Sequence, residues 1–271
     1  MLGCGKKPFK MYRLIESQVK AVIDLAQTAG EKIMAIYAHD FDVDYKNDSS
    51  PLTQADLASH HCIVDGLREL TPQIPVLSEE SSEAEKLNRM RWETYWLIDP
   101  LDGTKEFVKK NGEFTVNIAL VSNHQPVFGV VCAPALDVTY FGDKSSGAFK
   151  LEGGIANAIS VRARSANSAD WIVVGSRSHQ SDEFMAFMKD YTDAEIVSMG
   201  SSLKLCLVAE GKADLYPRLG LTYEWDTAAS QAVVEAAGGQ VLAFPEMKSL
   251  GYNQNAGTLL NPHFLVCASS L

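Results

Sequence analysis

Two aspartates, Asp99 and Asp102, stand three residues apart at the end of the apolar, aromatic-rich run Tyr95-Trp96-Leu97-Ile98. A buried strand has no use for two terminal carboxylates unless a cation meets them. Pro100 lies between them, fixes its own φ and donates no backbone hydrogen bond, so the strand is expected to end there. On such a turn both carboxylates and the Leu101 carbonyl can face one point, and hard oxygen donors of this kind suit Mg²⁺. Gly103 permits close backbone approach. Thr104 is expected to cap a helix whose N-terminus attracts phosphate. The chemistry these residues point to is metal-assisted work on a phosphate. For Asp99 to Asp102 alone, a plain polar turn is an equally good reading.

Other segments add to the set. Glu79 and Glu80 stand where a second short apolar run, Val76-Leu77, ends; alone they read as a solvated pair. Asp226 follows Trp225 ahead of a small-residue helix, where its plain role is an N-cap. Asp56 lies just after Thr53, where a solvent-facing helix acid is the plain role. Ser178 and His179 fall just past a strand end, and Gly200 and Lys204 bracket a loop that enters a helix. On their own, His179 reads as a surface histidine and Lys204 as an ordinary helix lysine.

These residues need elements to hold them. Val19, Val22, Ile23, Ala26, Ile33, Ile36 and Tyr37 follow helical spacing, and a second helix is expected from Thr53 to Leu70. The charged stretch from Glu83 to Arg91 reads as a solvated loop or helix. Strand signals at 114–121, 127–132, 139–141 and 148–149 are separated by turn formers and predict an antiparallel meander. After a polar break that starts at Glu152-Gly153-Gly154, strands and helices alternate. Strands are expected near 171–174, 195–197, 213–216, 241–244 and 264–267, with helices over 181–189, 202–210 and 226–237. Such alternation implies a sheet covered by helices. We therefore expect an α/β protein of two lobes: residues 11–152 with helices, an antiparallel sheet and the acids Glu79, Asp99 and Asp102, and residues 153–271 with alternating strands and helices, His179, Lys204 and Asp226.

Composition narrows the functions. With 34 acidic against 24 basic residues the net charge is -10, which argues against a nucleic-acid polymer as partner. A small anionic substrate stays compatible, because a bound divalent ion reverses the local field. Cys4, Cys62, Cys132, Cys206 and Cys267 are scattered, odd in number and without Cys-x-x-Cys spacing, which fits reduced thiols in the cytoplasm. No apolar run approaches membrane-spanning length. Residues 1–10 read as an appendage, with the folded part starting at Met11.

Taken together, Glu79-Glu80, Asp99-Pro100-Leu101-Asp102-Gly103-Thr104 and Trp225-Asp226 carry a specific resemblance. The sequence resembles the Mg²⁺-dependent, lithium-sensitive phosphatases of the inositol monophosphatase and fructose-bisphosphatase superfamily, from about Met11 to the C-terminus. Lys105-Glu106-Phe107, Ser176-Arg177-Ser178-His179, Gly200-Ser201-Ser202-Leu203-Lys204 and Leu215-Tyr216-Pro217-Arg218 make it most similar to the 3'(2'),5'-bisphosphate nucleotidase branch. The resemblance implies a layered α-β-α-β-α sandwich. It also implies that Glu79, Asp99, the Leu101 carbonyl, Asp102 and Asp226 hold two or three Mg²⁺ ions, with Li⁺ inhibitory. Asp56 and Thr104 would orient or deprotonate the attacking water. Substrate contacts would come from Glu79, Leu101, Asp102, Gly103, Thr104, Ser178, His179, Gly200, Lys204 and Asp226, with Arg218 as a further candidate.

The implied reaction removes the 3'-phosphate of adenosine 3',5'-bisphosphate to give AMP, with its sulfated analogue a second substrate, in sulfate assimilation and nucleotide recycling. The implied partner is that small anionic nucleotide, and the resemblance allows peripheral attachment to the cytoplasmic face of the inner membrane. An inositol monophosphatase or sugar bisphosphatase of the same superfamily is the main alternative. A non-catalytic, metal-responsive binding protein on the same scaffold is an alternative of another class, and the retention of Asp56, Glu79, Asp99, Asp102, Thr104 and Asp226 speaks against it. Leu101-Asp102-Gly103-Thr104 also echoes the haloacid dehalogenase signature. That signature needs a nucleophilic aspartate where Pro100 stands, so a covalent mechanism of that type is excluded.

Overall fold

The computed structural model describes residues 12–39, 43–45, 51–163, 170–175 and 181–268. The helical spacing near the N-terminus forms α1 (Glu16–Tyr37), which buries Val22, Ala26, Ala29 and Ile33. Two short antiparallel strands, β1 (Val43–Tyr45) and β2 (Pro51–Thr53), lead into α2 (Gln54–Leu70). Thr53 caps α2, its Oγ1 accepting from the Ala55 N–H at 3.2 Å.

The chain continues through β3 (Val76–Ser78), α3 (Glu83–Asn88), a 3₁₀ turn at Arg89–Arg91, β4 (Thr94–Asp102) and α4 (Thr104–Val108). The meander follows as β5 (Thr115–Ser122), β6 (Gln125–Ala133), β7 (Val138–Asp143), β8 (Gly147–Glu152) and β9 (Ile155–Ile159). These strands form one sheet in the order β3-β4-β5-β6-β7-β8-β9, parallel at β3–β4 and antiparallel elsewhere. The expected break at Glu152-Gly153-Gly154 is thus the turn of the β8–β9 hairpin. The first sheet runs on to Ile159.

The second half contains β10 (Ile172–Gly175), α5 (Asp182–Phe187), β11 (Glu195–Ser198), α6 (Leu203–Ala209) and β12 (Leu215–Arg218). It ends with α7 (Glu224–Ala236), β13 (Gln240–Ala243), β14 (Lys248–Ser249) and β15 (Phe264–Cys267). Its strands form a mixed sheet in the order β11-β10-β12-β15-β13-β14.

Strand alternation sorts the core into layers. Trp96 and Ile98 of β4 face α1 and α2, packing with Val22, Ile33, Ile63 and Leu67. Tyr95 and Leu97 face the other way, into a core shared with Leu205 of α6, Ala229 and Val233 of α7, and Val174, Tyr216 and Val266 of the second sheet. On the far side of that sheet, Phe184 of α5 packs with Val173, Leu215 and Leu265. The result is the layered α-β-α-β-α sandwich. At Gly129 a Cβ would come within 2.1 Å of the Ala229 carbonyl oxygen, so a side chain there would push α7 off the first sheet.

Candidate active site

The site is built where β4 departs from regularity. Pro100 does not end the strand as expected, because β4 runs on to Asp102. Asp99 pairs with Asn117 and Asp102 with Thr115, so β4 carries one more residue than β5 between those pairs. This is a β-bulge, and Pro100 sits where a donor is not needed. The bulge matters because residues three apart on a regular strand point to opposite faces. One extra residue resets that alternation and lets the two carboxylates turn toward a common point. Ser59 of α2 fixes the bulge from beneath, its Oγ donating to the Pro100 carbonyl at 2.7 Å.

Asp226 completes the convergence. Oxygen atoms of Asp99, Asp102 and Asp226 all lie within 4.8 Å of one another. Asp226 is not the N-cap of α7, which is Tyr223, but its third residue, whose side chain closes a capping box onto the Tyr223 backbone. Its Oδ2 accepts from the Tyr223 N–H at 2.9 Å, which leaves the other oxygen for the cluster. Glu79 follows β3 directly, held by its N–H to the Ile98 carbonyl at 3.1 Å.

The electrostatics of this cluster call for a cation. Burial pushes the Asp99 carboxyl well above the usual carboxylate range, and the charges of Glu79, Asp102 and Asp226 push the same way. Asp226 is raised by burial and then by Asp102. Asp102 is raised by burial too, against the pull of Lys204 and of the Ser202 N–H. Carboxylates gathered this closely oppose ionisation in one another, and a divalent ion bound by hard oxygen donors relieves that. The donor set therefore fits a metal such as Mg²⁺, with the Leu101 carbonyl as a further oxygen.

Asp56 and Thr104 stand together next to the bulge. Asp56 is buried in the first turn of α2, where its Oδ2 accepts from Thr53 N and Thr53 Oγ1, both at 2.7 Å. It is a structural acid as much as a chemical one, not the solvent-facing residue that its helix position alone indicates. Thr104 Oγ1 lies 3.5 Å from Asp56 Oδ1 and 3.2 Å from the Leu101 carbonyl oxygen. The cap of α4 is Gly103 rather than Thr104, which frees the Thr104 hydroxyl for these contacts. With only five residues, α4 is too short to bring a substantial helix dipole.

Beside the carboxylates opens a cleft of about 430 Å³, lined among others by Gly103, Gly200, Lys204 and Arg218. Gly200 is required by close approach: a Cβ there would lie 2.8 Å from both Cβ and O of Glu113. Lys204 lies at the start of α6 with its Nζ 5.9 Å from the Tyr216 ring centroid. Burial and the neighbouring Arg218 lower its pKa, while Asp102 raises it. Ser178, His179 and Arg177 lie outside the described residues.

Several residues that serve this site are not singled out individually by the sequence. Asp102 Oδ2 accepts from the Ser202 N–H at 2.6 Å and from Thr115 Oγ1 at 3.4 Å. Ser202 Oγ donates to Asn117 Oδ1 and meets Thr115 Oγ1, both at 2.8 Å. Thr115 and Asn117 are polar residues inside a wholly buried strand, and that mismatch is the one hint available. Arg89 is a second surprise. It lies in the stretch expected to be solvated, yet it is 3 % exposed.

No helix among the described residues is long and apolar enough to cross a membrane. Comparison with known proteins agrees with the geometry. The model of the inositol monophosphatase family matches residues 15–268. The CysQ 3'(2'),5'-bisphosphate nucleotidase of Salmonella typhimurium is 48% identical over 250 residues, which is 92% of this chain and 98% of that protein. The crystal structure of CysQ from Bacteroides thetaiotaomicron superposes with a TM-score of 0.82 at 44% identity, covering 95% of this chain and 99% of that one. An IMPase from Thermotoga maritima superposes with a TM-score of 0.74 at 27% identity, covering 93% and 92%. Two aspartates on a strand bulge, completed by a third from a helix of the other half, and a family model that matches nearly the whole chain lead to one conclusion: the protein belongs to the inositol monophosphatase family.

Proposed function

We propose that the protein is a 3'(2'),5'-bisphosphate nucleotidase, a phosphoric monoester hydrolase that converts adenosine 3',5'-bisphosphate and water to AMP and phosphate. The observation that carries this reading is the placement of Lys204 and Arg218 in the same cleft as Asp102 and Asp226. The cleft brings carboxylates that suit a metal-assisted phosphate site together with two cationic side chains that can meet a second phosphate. The relatives named as bisphosphate nucleotidases across nearly the full chain support the substrate class. The sulfated analogue carries the same 3'-phosphate and is expected as a second substrate.

In this reading Glu79, Asp99, Asp102, Asp226 and the Leu101 carbonyl hold two or three Mg²⁺ ions, with Li⁺ inhibitory. Bound there, the ions neutralise phosphate charge and acidify water. The protein's own groups do the positioning, which dominates phosphoryl transfer. Asp56 Oδ2 accepts from Thr53, and its Oδ1 faces Thr104 Oγ1 at 3.5 Å. Thr104 Oγ1 can pass its hydrogen toward Asp56 and accept from the attacking water, which orients that water. Gly200 brings loop backbone against the nucleotide, and Lys204 with Arg218 holds the second phosphate. Ser178 and His179 are further nucleotide contacts in this reading. Cys62, Cys132, Cys206 and Cys267 are free thiols, which supports work in a reducing compartment such as the cytoplasm.

The test is product identity. Incubated with adenosine 3',5'-bisphosphate and Mg²⁺, the protein should yield 5'-AMP and phosphate in ³¹P spectra. Accumulation of 3'-AMP, or no turnover, would overturn the assignment.

A further inference from the structure

A buried polar web joins the segment that follows Glu79 to the first turn of α7. Arg89 lies in the turn after α3, and its guanidinium donates to backbone carbonyls. Nη1 reaches Lys86 O at 2.7 Å, while Nη2 reaches Asn255 O at 2.6 Å, Thr258 O at 3.1 Å and Ala256 O at 3.3 Å. Asn253 bridges onward: its Nδ2 donates to Arg89 O at 2.8 Å, and its N–H donates to both carboxylate oxygens of Glu224, each at 2.9 Å. Glu224 is 4 % exposed and opens α7, two residues before Asp226.

Buried charges of this kind add little stability over well-packed apolar residues, so their presence needs another reason. Their location supplies one. The web ties the segment that follows Glu79 to the helix turn that carries Asp226. A second link runs alongside, with Lys86 Nζ of α3 5.5 Å from the Trp225 ring centroid. We propose that Arg89, Asn253 and Glu224 are positioning residues that set the spacing between Glu79 and Asp226, and thereby the affinity of the site for divalent metal. The inference rests on the metal reading given above and adds residues that touch neither metal nor substrate.

The test measures Mg²⁺ binding to the full chain by calorimetry, beside thermal unfolding without metal. Supports of a metal ligand are worth roughly 10-fold to 100-fold in affinity. Glu224→Gln and Arg89→Met should each weaken Mg²⁺ binding by about that factor, while KM for the nucleotide at saturating Mg²⁺ changes less than about twofold. The double variant should be scarcely worse than the poorer single one, because the residues act as one unit. Should Arg89→Met fail to fold, the near-isosteric Glu224→Gln and the milder Asn253→Ser carry the test. Variants that melt earlier yet bind Mg²⁺ as tightly as the parent would overturn the inference. If the parent itself binds no Mg²⁺, the metal reading fails instead.

Discussion

The backbone N–H of Ser202 donates to Asp102 Oδ2 at 2.6 Å, so the loop that carries Gly200 and leads into Lys204 of α6 is bonded directly to a carboxylate of the acidic cluster. In the proposed reading, this one short contact links metal binding to nucleotide binding. A charge-assisted bond of this length holds the loop more firmly than a neutral one. It also explains why Asp102 stays the less perturbed member: Lys204 and the Ser202 N–H both favour its ionised form.

Asp102→Asn should remove metal-dependent turnover while leaving the fold intact. Asn keeps an oxygen for the Ser202 N–H but loses the charge that meets the ion. Phosphate release should fall by more than about 100-fold, beyond the range for residues that merely support a ligand. Full activity in this variant, at the same Mg²⁺ concentration, would remove Asp102 from the metal site.

Ser202→Ala addresses stability rather than chemistry. The change spares the backbone bond to Asp102 but strips Asn117 Oδ1 of a buried partner, while Thr115 Oγ1 keeps Asp102 Oδ2 and Ser201 Oγ. Leaving the Asn117 oxygen unsatisfied costs about 1–3 kcal/mol. Urea unfolding should register that loss, and an unchanged midpoint would show that the hydroxyl web is idle.

Lys204→Met should separate the two phosphates. The variant keeps an unbranched side chain of similar length and loses the ammonium that stands 5.9 Å from the Tyr216 ring centroid. Hydrogen bonds to charged groups are worth about 1.5–3 kcal/mol, or roughly 10-fold to 100-fold. We expect kcat/KM to fall by that factor for adenosine 3',5'-bisphosphate and to change little for a substrate with one phosphate. Equal losses on both would place Lys204 at the scissile phosphate.

His60 gives a pH signature. Its Nδ1 meets Ser78 Oγ at 2.9 Å. Burial lowers its pKa below 6.5, assisted by the charge of His61 and opposed by Glu80 and Glu85. A base with a depressed pKa in the fold takes up its proton more readily when unfolded. Its contribution is therefore intact above about 6.5 and is lost as pH falls through the lower, folded value. The melting temperature of the parent minus that of His60→Gln should shrink as pH falls from neutral toward 5.5. A difference that grows on acidification would contradict this.

Much of the site is local enough to be read from the chain. Asp99, Leu101 and Asp102 are neighbours, Glu79 lies two residues past the apolar pair Val76-Leu77, and Asp226 follows Trp225. What escaped depends on distant partners. The bulge at Pro100 exists only relative to Asn117 and Thr115 of β5, so the chain alone indicates a strand end. Arg89 looks solvated among charged neighbours because the carbonyls that bury it come from residues 255–258. The strand β9 is mostly exposed, so no hydrophobic alternation announces it. Pairing with β8 alone makes it a strand.

The most direct measurement is the ratio of kcat/KM for adenosine 3',5'-bisphosphate to that for inositol 1-phosphate, taken with Mg²⁺ and again after chelation. The account predicts a ratio well above one with Mg²⁺ and loss of both activities on chelation. A ratio below one would contradict the nucleotide assignment, and activity that survives chelation would contradict the metal cradle of Asp99, Asp102 and Asp226.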